Sequence, residues 1–178
     1  MTPADSMPGG RPQGADPPLS RLGELVGHWR SEGYLVDDPS VRVVGTDTYE
    51  LLAGGFFLVH HVDVVVGTKP VRAIEIIGDY DADSGSFAAT AYDNDGNITG
   101  MRARPGEPGV WTFVGGSDVA SAAQPDDAAP EGLVRSTLTV AADRRRMTAR
   151  WERSDDGATW QPWMDMTFTR TGSEPADA

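Results

Sequence analysis

Residues 56–104 read FFLVHHVDVVVGTKPVRAIEIIGDYDADSGSFAATAYDNDGNITGMRAR, and this stretch decides the fold class. Four runs within it, Phe56 to Val66, Val71 to Tyr80, Ser86 to Tyr92 and Ile98 to Arg104, are rich in Val, Ile, Phe, Thr and Tyr. Those side chains suit a pleated, half-buried surface, so each run reads as a strand. Gly67-Thr68-Lys69-Pro70 and Asp93 to Asn97 separate them, with residues that tolerate positive φ at hairpin length. Successive strands therefore pair antiparallel.

The pattern continues on both sides. Trp29 to Val36 and Val41 to Leu52 precede the quoted stretch, and Val110 to Gly115, Leu133 to Ala141, Met147 to Arg153 and Trp160 to Arg170 follow it, giving about ten strands. Asp37-Asp38-Pro39, Ala53-Gly54-Gly55, Pro105 to Gly109 and Asp155-Asp156-Gly157 supply further turns. One short helix is expected between Pro18 and Trp29: Ser20 can cap it, Leu22, Leu25 and Val26 recur at helical spacing, and Gly27 can end it. After Gly33 no helical pattern intervenes between strands, and a parallel sheet would need one. An open meander of this length would expose two edges that closure removes. The fold class read from the chain is all-β, an antiparallel closed barrel of about ten strands with one short N-terminal helix.

With 178 residues, 39% of them hydrophobic, the chain fits one core. Residues 1–18 are Pro, Gly and Asp with almost no large apolar side chains, and residues 171–178 are similar, so both are expected to be disordered around a barrel domain over 19–170. Residues 117–130, SDVASAAQPDDAAP, are too polar for a strand and read as a long loop. A net charge of -12, from 27 acidic against 15 basic residues, disfavours nucleic acid as a partner, since phosphate binding needs a positive footprint. There is no cysteine, which removes disulfides and thiolate chemistry. The opening residues lack a basic start and an apolar h-region, and no apolar run of about 18 residues occurs, so a cytoplasmic protein without membrane association is expected.

The segment Leu22-Gly23-Glu24-Leu25-Val26-Gly27-His28-Trp29 resembles the opening of calycin-like barrels, which carry G-x-W at the end of a short helix. Glu32-Gly33, Tyr49-Glu50, Gly54-Gly55-Phe56, Glu75 with Gly78-Asp79-Tyr80-Asp81, and Asp155-Asp156-Gly157 with Trp160 extend the likeness. They make it similar to a bacterial family of uncharacterised lipocalin-like proteins and, more distantly, to the nitrobindins. The resemblance implies a barrel that encloses a small ligand. For a nitrobindin it further implies heme held by a histidine on a late strand, yet His28, His60 and His61 all precede Val62 and none follows. Heme is therefore a lesser alternative, and no cofactor is assigned. Trp29 has a physical role independent of any ligand, because an aromatic ring at the start of the first strand can plug one barrel end.

Among residues that could do chemistry, His60-His61-Val62-Asp63 stands out. His61 and Asp63 share one strand face, where they could bind a metal or exchange a proton, and the hairpin register decides whether Glu75 on the next strand joins them. A metal site needs a third ligand and a supporting shell. The two faces of this strand carry nearly equal apolar content, and Asp63 suits a polar cavity wall better than a packed core, so His61 is assigned to the cavity. Asp79-x-Asp81-x-Asp83 has Ser84 where a calcium loop needs Gly and Thr90 where it needs Glu, and the run with Asp93 and Asp95 has Ala91 and Arg102 at its first and twelfth positions, so both read as hairpin turns. Arg144-Arg145-Arg146 reads as a solvated turn. No nucleophile elbow, phosphate loop, zinc-protease helix or dinucleotide fingerprint is present.

The leading functional reading is binding of a small, apolar or amphipathic molecule inside the barrel, with Tyr49, His61, Glu75, Tyr92, Trp151 and Met164 as candidate lining. Trp151 and Met164 lie on the apolar faces of the last two strands. An enzyme using a His/carboxylate pair on the barrel wall is the rival, and a homodimer formed through an exposed strand or barrel face is a third reading.

Overall fold

The structure, a computed structural model, describes residues 17–116 and 132–172. The arm, long loop and tail expected from the sequence lie outside these residues, apart from residues 17, 18, 171 and 172. A helix α1 (Pro17–Leu22) leads into ten strands: β1 (Gly27–Leu35), β2 (Arg42–Leu51), β3 (Leu58–Val66), β4 (Lys69–Asp81), β5 (Ser86–Asp93), β6 (Ile98–Pro105), β7 (Val110–Gly116), β8 (Leu133–Val140), β9 (Arg146–Ser154) and β10 (Gln161–Arg170). Each strand pairs antiparallel with its sequence neighbours, and β1 pairs with β10 to close the barrel. The β1–β10 seam runs from Trp29 opposite Arg170 to Leu35 opposite Met164.

Turn chemistry sets the registers. Val66 pairs with Lys69 across a two-residue turn in which Gly67 has φ of 62°. Bulges interrupt β4 between Gly78 and Tyr80 and β10 between Pro162 and Met164. Asp79, at the first of them, has φ of 50°, a conformation that Asp tolerates better than most residues.

One end of the barrel is sealed. Trp29, Leu58, Ile77, Phe87, Trp111 and Met147, all inward-facing, are fully buried there, and Leu22 at the end of α1 and Leu25 just after it are fully buried with them. Burial of each such side chain contributes roughly 1.5–3 kcal/mol. The Trp29 indole Nε1 donates to the Leu25 carbonyl at 3.2 Å. Arg170, from the end of β10, lies over the Trp29 ring at 4.5 Å and donates to the carbonyls of Val26 and Arg144 at 2.8 Å each. This arrangement accounts for the glycine of Gly27-x-Trp29: with φ of 148°, a Cβ there would fall 2.5 Å from Arg170 Nη1.

The helix is shorter than the sequence pattern implies. It has six residues, Ser20 lies inside it instead of capping it, and Gly27 begins β1 instead of ending α1. Short-range bonds from Gly23 to Ser20, Glu24 to Arg21 and Leu25 to Leu22 carry the turn onward. A helix this short cannot hold itself in water, so packing of Leu22 and Leu25 against the barrel end decides where it stops.

At the opposite end, inward-facing Val66, Val71, Val134, Trp151 and Met164 are only partly buried. Val43 and Val64 at this end are buried, so it is the less tightly packed, more open end of the barrel. On the outside, β3 to β6 carry an apolar surface in which Ile74, Ile76, Tyr92 and Ile98 are exposed. Two residues expected inside are found there: His61 and Tyr92 point outward, Tyr92 being 49% exposed.

Candidate functional site

A connected polar cluster occupies the inner wall of β1 to β4. His60 is its centre. His60 stands opposite Tyr49 on β2 and opposite Glu75 on β4, and Asp47 on β2 is the next inward position from Tyr49. Period-two alternation then places all four side chains inside. His60 Nε2 lies 2.7 Å from Asp47 Oδ1 and Nδ1 lies 3.1 Å from Glu75 Oε2. Ser31 Oγ on β1 donates to the other Asp47 oxygen. The Tyr49 ring stacks on the imidazole with centroids 3.9 Å apart and planes 8° from parallel. The His60 and Glu75 side chains retain 12% and 9% exposure.

Both ring nitrogens face carboxylates, which accept and cannot donate when ionised, so the geometry calls for an N–H on each nitrogen. Burial alone would favour the neutral ring, but hydrogen bonds to Asp47 and Glu75 and their negative charge outweigh it, and the His60 pKa is raised from 6.5 to about 9. Burial and the same two carboxylates push the Tyr49 phenol well above its usual 10.0, so it remains a neutral donor. Glu75 Oε1 has no hydrogen-bond partner among the described residues and is not sealed from solvent.

This arrangement limits the chemistry. An imidazolium protonated at both nitrogens has no lone pair with which to act as a base. Ser31 bonds to Asp47 and not to the histidine, so the order of contacts is Ser, Asp, His, Glu, unlike an activated nucleophile, where the base touches the hydroxyl. Asp47 and Glu75 flank the ring from opposite sides, and among the described residues no group of three His or acidic side chains is placed to hold a metal ion. A histidine-bound heme does not fit either. His60 has both nitrogens engaged, while His28 and His61 are exposed, His28 Nδ1 lying 3.2 Å from Thr48 Oγ1.

The floor beneath the cluster is Trp29, Leu58 and Ile77. Above and beside it the inward positions become small: Gly45 on β2, Ala73 on β4 and Ala91 on β5, with Ala91 directly opposite Glu75. Across the barrel, five strands away in the closed order, β8 and β9 present Leu138, Ala149 and Trp151. Met164 flanks Trp151 on β10. One wall of the interior is therefore charged and the facing wall apolar.

Of the residues picked from sequence, Tyr49 and Glu75 lie in the cluster, and Trp151 and Met164 near the open end. His61 and Tyr92 do not. Register forbids Tyr92, because Glu75 pairs with Ala91 and both point inward, which sends the adjacent Tyr92 out. His61 fails for a related reason. Its strand has apolar residues on both faces since the outer surface of β3 to β6 is itself apolar, so apolar content carries no information on parity. Asp63, the residue that seemed to favour His61, is exposed and pairs with Arg72 at 3.2 Å. Asp47 and Ser31 went unrecognised; the alternation linking Asp47 to Tyr49 was the available signal.

A concavity of about 830 Å³ lies elsewhere, on the outer face of β8, β9, β10, β1 and the start of β2, lined by Tyr34, Arg42, Thr137, Arg150, Glu152 and Asp165 among others. Part of its charge is paired: Arg150 grips Asp165 with two bonds of 2.9 and 2.8 Å, and Glu152 pairs with Arg135 at 2.7 Å. Such solvent-exposed pairs contribute little. The interior cluster, with a buried and half-partnered carboxylate, is the better candidate.

Comparison with known proteins agrees with the barrel. No curated protein matches the chain. Among solved structures, Rv2717c from M. tuberculosis is similar at 13% identity and a TM-score of 0.59, covering 88% of this chain and 99% of that one. EF1p2_mFAP2b bound to DFHBI aligns at 11% identity with a TM-score of 0.39, covering 86% and 99%. The first likeness is one of fold alone. A family model described as "Protein of unknown function (DUF1579)" matches residues 17–170, from the start of α1 to the end of β10, and the chain belongs to that family.

Proposed function

We propose that the barrel binds a small amphipathic molecule, which enters at the open end and lies between the polar wall of β2 to β4 and the apolar wall of β8 to β10. The observation that carries this reading is the change in burial along the barrel axis. Inward residues are fully buried at Trp29, Leu58 and Ile77, whereas at the other end Val66, Val71, Trp151 and Met164 are partly exposed beside a buried Val43. A barrel serving only as a packed scaffold has no need of an open end, whereas a ligand site needs a concave, mostly apolar surface with a few convergent polar groups. Tyr49, His60, Glu75, Trp151 and Met164 are the proposed contacts. The calycin-like resemblance of Gly27-x-Trp29 supports the same reading, and the pinned His60 favours binding over acid–base catalysis.

The test is titration with N-phenyl-1-naphthylamine, a neutral dye whose emission rises in apolar surroundings. We expect saturable enhancement at one dye per chain, abolished by Ala73→Trp, which would fill the space above Glu75. No enhancement, or enhancement indifferent to Ala73→Trp, would overturn the proposal.

A further inference from the structure

Within the binding site proposed above, and resting on that reading, the geometry points to a ligand whose polar end is a cation, such as a protonated amine, seated against Glu75. Three observations converge on this. The first is charge: one imidazolium lies between two carboxylates, so the cluster holds one more negative than positive charge. The ion pairs of Asp47 and Glu75 are both with His60, and no arginine or lysine among the described residues pairs with either. The second is a free acceptor. Glu75 Oε2 accepts from His60 at 3.1 Å, while Oε1 has no partner among the described residues and is reachable by solvent, although the side chain as a whole is only 9% exposed. A charged donor makes the stronger hydrogen bond to such a carboxylate oxygen.

The third observation is access. Ala91 stands opposite Glu75, and Ala73 is the next inward residue on the same strand toward the open end, so small side chains flank the carboxylate on that approach. Trp151 and Met164, near the open end on the other side, suit an apolar body. Arg153, the inward-register residue beyond Trp151, is the group that would attract an anion instead. It stacks on Trp163, 3.6 Å from the ring centroid. The interior thus recognises charge at Glu75 and length along β8 to β10, which together describe an alkyl or aryl amine.

Three probes of one chain length test this: decylamine, decanol and decanoate, titrated calorimetrically near neutral pH. We expect decylamine to bind at least tenfold more tightly than decanol, and decanoate to bind weakest. Glu75→Gln, close to isosteric, should abolish the preference for decylamine over decanol, whatever it does to the affinity the two share. Ala73→Trp touches no charge and should block decylamine, which separates the interior from attraction to an acidic surface. If decanol or decanoate equals decylamine on the native chain, the cation assignment fails while the binding site stands. If decylamine binding survives Ala73→Trp, the amine is held elsewhere and the assignment also fails. If none of the three binds, the binding reading falls and takes this one with it. Should Glu75→Gln not fold, the ranking of the three probes and the Ala73→Trp result still decide.

Discussion

An imidazole held at both nitrogens by carboxylates is a structural cation, and its titration is written into the stability of the fold. His60 goes from an ordinary 6.5 in the unfolded chain to about 9 in the barrel. Because the folded value is the higher, the stabilisation is complete below about pH 6.5 and disappears as pH rises through about 9. The displacement from 6.5 to about 9 corresponds to about 3 kcal/mol, at roughly 1.4 kcal/mol per unit. Urea unfolding of the native chain should lose stability of that order between about pH 6 and about pH 10, and His60→Gln should flatten the slope. Equal slopes in the two proteins would mean that His60 is not charged in the fold. Tyr49, stacked on the ring with a phenol held above its usual range, leaves the neutral-pH part of that window to His60.

At the scale of the strand, curvature sets where the cluster sits. Gly45 on β2 faces Val64 on β3, and a Cβ there would lie 2.2 Å from the Asp63 carbonyl oxygen and 2.5 Å from Val64 Cα, both backbone atoms that cannot step aside. The two strands approach this closely one inward position from Asp47, so an alanine would push β2 away from β3 and lengthen the contact between Asp47 and His60. Gly45→Ala is expected to cost about 1–3 kcal/mol in thermal or urea unfolding, as overpacking does. It should also lower the His60 pKa as seen by imidazole NMR; an unmoved pKa would show that the cluster does not depend on strand approach. Strands were legible in the sequence for the same reason that the cluster was not. Turns such as Gly67-Thr68 and Gly96-Asn97 mark where strands end whatever their faces do, and ten strands in meander order followed from them. Which face is inward needs an apolar/polar contrast. β3 has none, with Val62 and Val64 on one side and Val59 and Val65 on the other, and the charged group is on the inside. Hydrophobic alternation therefore misled at His61, while it succeeded at Trp151 and Met164, where Thr148 and Arg150 mark the outer face of β9 clearly.

For the whole molecule, closure removes every sheet edge, since β1 and β10 pair over seven residues from Trp29 to Leu35. Unequal stability along the barrel must then come from packing and not from fraying edges. The sealed end places Trp29, Leu58, Ile77, Phe87, Trp111 and Met147 in full burial, tied to the last strand by Arg170 stacked on Trp29. At the other end Val66, Val71, Val134, Trp151 and Met164 are partly exposed beside buried Val43 and Val64. Local opening is easiest where few apolar contacts must be broken, so native-state amide exchange should be graded along the axis. Amides of Trp29, Leu58, Ile77, Phe87 and Met147 should exchange last, near the rate set by global unfolding, and those of Val66, Val71, Val134 and Met164 markedly sooner. Closure leaves no edge strand to fray, so away from the two bulges such a gradient reports the looser interior at one end. Saturating decylamine should slow exchange at the loose end and leave the sealed end unchanged. Uniform protection along the free barrel would mean that the interior is packed throughout, with no path for a ligand to reach Glu75.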